Sequence, residues 1–195
     1  MGFYDLINDS YKSASLIEQM REHFEQSQPR MIRLNDFFVG NVYKKILNEL
    51  KSAEGMRVKV ADRYSFTLLE LQMFDDVFSS QTFMTFLGAI IGKKIAKINY
   101  QIRSFEKGDY TLLHDSEAIL GRVEFFFVFA EKWKGNAGGM KVYIQKKGEG
   151  KPVIFPVEGN SFSIIDKKDD MHSFVKYVNN LAGKGRMFIV EGWVE

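Results

Sequence analysis

The sequence predicts an α+β fold, with helices first and a strand-built half after them. Three observations predict it. Apolar residues recur at helical spacing through the first third, short extended runs replace them after Ile98, and clusters of Gly, Asn, Asp and Lys separate those runs. A chain of 195 residues is long enough to bury a substantial core.

Leu6, Ile7, Tyr11, Ala14, Ile17, Met20, Arg21 and Phe24 follow a three-to-four spacing that ends near Pro29. MIRLNDFF, at Met31–Phe38, reads as a short strand and turn. Asn41 can cap a second helix in which Val42, Ile46, Leu47 and Leu50 share a face. Ser65–Phe86 reads as a helix broken near Asp75-Asp76, and Ala89–Lys97 continues that character. Eight extended runs follow: Ile98–Phe105, Tyr110–Leu113, Arg122–Phe129, Lys141–Gln145, Val153–Pro156, Ser161–Asp166, Ser173–Val178 and Arg186–Trp193. Strands at that rhythm suggest a double-sheet jelly roll or a barrel, buttressed by the helices. No internal repeat, low-complexity segment or linker interrupts the chain.

Composition narrows the function classes. Basic and acidic residues number 27 and 25, a net charge of +2, which gives no electrostatic case for nucleic acid. The absence of cysteine excludes disulfides, thiolate metal sites and a cysteine nucleophile. The amino terminus carries early acids, unlike a signal peptide, and Asp5-Leu6 stands where a myristoylation signal needs Ser or Thr. No apolar run approaches the roughly 20 residues needed to cross a bilayer. The expectation is a cytoplasmic protein without a membrane partner. The basic loops at 146–151 and 183–186 lie close to acidic ones such as DKKDD and read as solvated turns.

Three histidines are present. His23 lies on the polar side of the first helix. His114 and His172 both fall in the strand-rich half, where a jelly roll can make distant strands neighbours. Two histidines and one carboxylate on one face form the triad of non-heme Fe(II) oxygenases; the alternative is two unrelated loop histidines. Arg186, within the apolar RMFIVEGW, needs a partner. It suits a ligand carboxylate or an internal ion pair with Glu191 or Glu124.

Taken in order, FEKGDYTLLHDSE, GRVEFFFVFAEKWKGNAGGMKVY, VEGNSFSIIDKKDDMHSFVKYV and GRMFIVEGW resemble the core motifs of prolyl-hydroxylase-like, 2-oxoglutarate- and Fe(II)-dependent dioxygenases. The resemblance covers residues 31–195 and leaves 1–30 as an N-terminal helical extension. It implies a double-stranded β-helix with supporting helices. His114 and His172 would be the iron ligands, and Arg186 would grip the distal carboxylate of 2-oxoglutarate. Trp133, Gly138, Gly139 and Asn160 would shape the strands between them. The implied cofactors are Fe(II) and 2-oxoglutarate, and the implied reaction hydroxylates a C–H bond of a protein, peptide or small molecule.

The pattern breaks at its centre. The family motif is His-x-Asp, whereas this chain reads His114-Asp115-Ser116. In an extended segment Ser116, not Asp115, shares the face of His114. Asp115, re-aimed by a bulge, or Glu117, brought in by a turn, could complete the site. Two histidines could hold iron alone, or the chain could be a catalytically degenerate jelly roll acting as a binding module. Phe105 replaces a Tyr that assists the co-substrate in relatives and cannot donate a hydrogen bond. Tyr110 and Tyr100 remain as candidate donors.

Overall fold

The computed structural model describes residues 2–112, 123–145, 150–167 and 171–195. The helices form one layer. They are α1 (Phe3–Leu6), α2 (Ala14–Gln26), α3 (Gly40–Ser52), α4 (Asp75–Phe78) and α5 (Gln81–Ile91). Ser13 caps α2 by accepting from Leu16 N, and Ser80 caps α5 by accepting from Phe83 N. Gly92, at φ 70°, ends α5 in the left-handed region. Asn41 is not the cap of α3; it lies in the first turn and accepts from Val42 N at 2.9 Å.

Among the described residues the strands form two sheets. The larger contains β1 (Met31–Leu34), β2 (Gly55–Val60), β3 (Tyr64–Leu69), β4 (Ile98–Phe105), β5 (Tyr110–Thr111), β6 (Val123–Ala130), β9 (Ser161–Asp166) and β11 (Met187–Val194). Its order is β1-β9-β6-β11-β4-β3-β2, with β5 also paired to β3. The smaller is β10 (Met171–Val175), β7 (Lys141–Gln145) and β8 (Val153–Phe155), in the order β10-β7-β8. All pairings are antiparallel. The fold class is the α+β jelly roll that the strand rhythm predicts.

Two expectations fail in the middle of the chain. Helix α5 stops at Ile91, so residues 92–97 do not continue it. Ser65–Leu69 belongs to a strand, and Gly55–Leu69 forms a hairpin at the edge of the large sheet. Phe66, Leu68, Leu69 and Leu71 mimic helical spacing. The alternation of Met56, Val58 and Val60 with Arg57 and Lys59 carries the strand signal.

The centre of the large sheet is buried on both faces. Phe125, Phe127, Phe129, Phe162, Ile164, Phe188 and Val190 pack toward the helices. Phe126, Val128, Ile165, Met187 and Ile189 point between the sheets and meet Tyr143, Phe155, Met171 and Val175. This is why VEFFFVFA in β6 lacks the polar alternation of a one-sided strand: all eight residues are buried. Phe3, Ile7, Met20 and Phe24 belong to the helix-side core, so residues 2–30 pack on the same layer as α3 and α5.

Candidate functional site

The interior between the two sheets is where a jelly roll builds a site. Side-chain alternation decides which residues enter it. On β10, Met171 and Val175 join the interior core, so His172 and Phe174 share the opposite face, with His172 half-buried and in register with Ile144. On β11, Met187 and Ile189 point inward while Phe188 and Val190 point to the helices. Arg186 falls on the helix side. Its guanidinium lies 5.2 Å from the Phe188 ring centre, donates to Ser104 Oγ at 3.3 Å and reaches the Lys51 carbonyl at 3.4 Å. Neither ion-pair partner considered for it, Glu191 or Glu124, is involved.

Tyr110 does not join Arg186 either. Its ring lies 6.2 Å from that of Tyr177, which is largely exposed. Tyr100 donates to Asp75 at the far end of β4, on the helix side. Thr111 accepts from Val175 N at 2.7 Å and ties β5 to β10. His114, Asp115, Ser116 and Glu117 lie outside the described residues. Among the described residues no three His, Asp or Glu side chains converge as a metal site.

Charged groups that the sequence reading did not assign to a site fill the interior instead. Glu124 on β6 accepts from Tyr143 Oη at 2.9 Å and from Lys167 Nζ at 3.3 Å, with Lys141 Nζ at 3.7 Å. Glu191 on β11 pairs with Lys141 and Arg103 and accepts from Gln101 Nε2 at 3.3 Å. Glu124, Glu191, Lys141 and Lys167 are all buried. Lys141 Nζ also sits 5.0 Å from the Phe126 ring centre and 5.3 Å from that of Tyr143. The network has three cations and two carboxylates among the described residues.

Burial sets the protonation of Lys141, and the excess of cations adds to it. Burial pushes its ammonium down from 10.5 to about 7; Glu124 offsets this in part, while Arg103 and Lys167 add to it. Burial alone would raise the Glu124 carboxyl, but Lys141, Lys167 and the hydrogen bond from Tyr143 prevail and hold it below the usual range. Burial and the adjacent Glu124 carboxylate raise the Tyr143 phenol. The sequence marks these residues one by one, since Glu124, Lys141, Lys167 and Glu191 each interrupt an apolar strand or end one, but it does not mark their association.

The other motif residues hold the frame. Trp133 Nε1 donates to the Gly138 carbonyl at 3.0 Å. Gly138 has φ 84°, and a Cβ there would lie 1.9 Å from the Tyr177 carbonyl oxygen. Asn160, at φ 63°, accepts from Phe38 N at 2.8 Å and donates to Phe38 O at 2.9 Å. Asp109, fully buried, accepts from Arg57, Ser65 and Glu106 N. It fastens the β2–β3 hairpin to the turn before β5.

A family described as oxoglutarate and iron-dependent oxygenase degradation C-term matches residues 61–194. The chain belongs to this family. Its fold is that of prolyl-hydroxylase-like oxygenases. A Pseudomonas putida prolyl-4-hydroxylase superposes with a TM-score of 0.70 at 10% identity, covering 92% of this chain and 98% of that one. A Trichoplax adhaerens prolyl hydroxylase, solved with a hypoxia inducible factor peptide fragment, gives 0.66 at 11% identity over 95% and 94%. Mouse prolyl 3-hydroxylase OGFOD1 is 28% identical over 81 residues, which is 41% of this chain and 15% of the mouse protein. This family member therefore spans a small part of that relative's length. No described helix is long and apolar enough to cross a membrane.

The family implies Fe(II) and 2-oxoglutarate, and the described residues do not fit the co-substrate. The basic residue expected to grip its carboxylate, Arg186, faces the helices. Among the described residues, the cations that face the interior are already engaged by Glu124 and Glu191.

Proposed function

We propose that this chain uses the oxygenase jelly roll as a non-catalytic binding module whose partner is a protein segment. The observation that carries this reading is the placement of Arg186 against α3, with the interior given over to the Arg103–Glu191–Lys141–Glu124–Lys167 network. A carboxylate ligand entering that space would have to compete with Glu124 and Glu191 for cations they already hold. The peptide-bound Trichoplax neighbour supports a polypeptide as the class of partner.

Family membership favours a second reading, an oxygenase that hydroxylates a C–H bond. In it His114 and His172 hold iron, Asp115 or Glu117 completes the site, and Arg186 and Tyr110 attend 2-oxoglutarate. Anaerobic titration of the metal-free protein with Fe(II) and 2-oxoglutarate separates the two. The binding-module reading expects no visible charge-transfer band and no succinate formed on admitting oxygen, with the protein still folded. A band that His114→Ala abolishes would overturn it in favour of the oxygenase.

A further inference from the structure

A second concave site lies on the other side of the large sheet. Between α1, α3 and α4 is a cavity of about 310 Å³ whose walls include Phe3, Ile46 and Met73. Phe127, from the buried strand β6, lines its depth, and Val42 stands among its lining residues on α3. Nothing in the interior ion network reaches it.

Volume and lining fit a small ligand. Ligand pockets start near 300 Å³ and are mostly apolar, with a few polar groups that fix orientation. This one is about twice the size of an apolar cavity that takes up benzene. Its polar lining comes from one ridge of α3, where Asn41, Lys45 and Glu49 recur every four residues. Asn41 Oδ1 is occupied by Val42 N, which leaves the amide nitrogen to donate. Lys45 makes no ion pair among the described residues. Two donors, one of them cationic, therefore stand one turn apart on the ridge. Glu49 lies one turn beyond Lys45, which stands mid-ridge.

We propose that this cavity binds a small amphiphile, an apolar chain of about ten carbons ending in a carboxylate. The chain lies against Phe127 and Ile46, and the carboxylate is held by Asn41 and Lys45. Burial of the chain supplies the affinity; the two donors set the direction of entry.

Decanoate and decanol, each below its aggregation limit, would be titrated into the protein while the methyl signals of Met73, Ile46 and Val77 are followed by NMR. The expected result is saturable shifts of those methyls, with Met171 in the jelly-roll interior unmoved. Val42→Trp should abolish them. Lys45→Glu should weaken decanoate about fivefold to tenfold and leave decanol unchanged. Unaltered methyl signals in the wild type, or full binding by a folded Val42→Trp variant, would overturn the site. Equal affinity for decanoate and decanol in the wild type would overturn the carboxylate assignment. Thermal unfolding of each variant shows that it is folded, and the exposed Lys45→Glu change tests the proposal should Val42→Trp fail to fold.

Discussion

Lys141 and Glu124 occupy the same buried network, yet their removal should have opposite consequences. Lys141 is the surplus cation among the described residues. Lys141→Met leaves two cations facing two carboxylates and keeps an apolar stem between the Phe126 and Tyr143 rings. Its expected effect on stability at pH 7 lies between neutral and a gain of ~1 kcal/mol. Glu124→Gln takes the carboxylate from Lys167 and leaves Lys141 with Glu191 alone, and should cost about 3–5 kcal/mol, read from denaturant unfolding. The pH dependence has a definite sign. Between about 7 and 10.5 the folded state holds fewer protons on Lys141 than the unfolded state does, so this residue makes stability rise with pH across that window. Lys141→Met should flatten the rise; an unchanged slope would show that Lys141 keeps an ordinary affinity for its proton.

Asn160 and Gly138 fix the connections between strands. Asn160 holds both backbone polar groups of Phe38 from a left-handed turn before β9. Asn160→Ala should cost about 2–4 kcal/mol by leaving those groups unpaired, seen as a lowered Tm with the far-UV spectrum preserved. Gly138→Ala combines positive φ with a contact no backbone shift of a few tenths of an ångström relieves, and a loss of about 2–3 kcal/mol is expected in the same measurement. At this scale the sequence was legible where its punctuation was strong. The eight runs after Ile98 correspond to β4–β11 within a few residues because Gly, Asn and Asp turns bound them. The β2–β3 hairpin escaped notice because its apolar row is largely exposed, as at Met56, and because leucines crowd its second strand. Burial, the usual cause of a clear pattern, had not shaped that strand.

At the scale of the molecule, the order of motifs was enough to place the chain among prolyl-hydroxylase-like oxygenases, while the use of the interior was hidden. Motif order reports topology. Whether Arg186 faces inward or outward depends on a one-residue phase along β11, and a single step of register moves a side chain through the sheet. The same phase separates His172 from Met171 and Ser173 on β10. The interior network was hidden for a different reason: its members come from β4, β6, β7, β11 and the end of β9, and no local spacing links them. The titration with Fe(II) and 2-oxoglutarate tests the resulting functional reading on the intact protein.

The burial of β6 on both faces, with β9 and β11 hydrogen-bonded along its two edges, has a consequence for exchange with solvent. Amides of Phe125–Phe129 have no route to water through a local opening, since each layer that covers them is part of the core. Their deuterium uptake should be the slowest in the chain and should follow global unfolding. The exposed β2 hairpin edge should exchange through local fraying. Measured side by side, the two strands would separate whole-molecule stability from edge mobility, and a fast-exchanging β6 would show that the two layers come apart without unfolding.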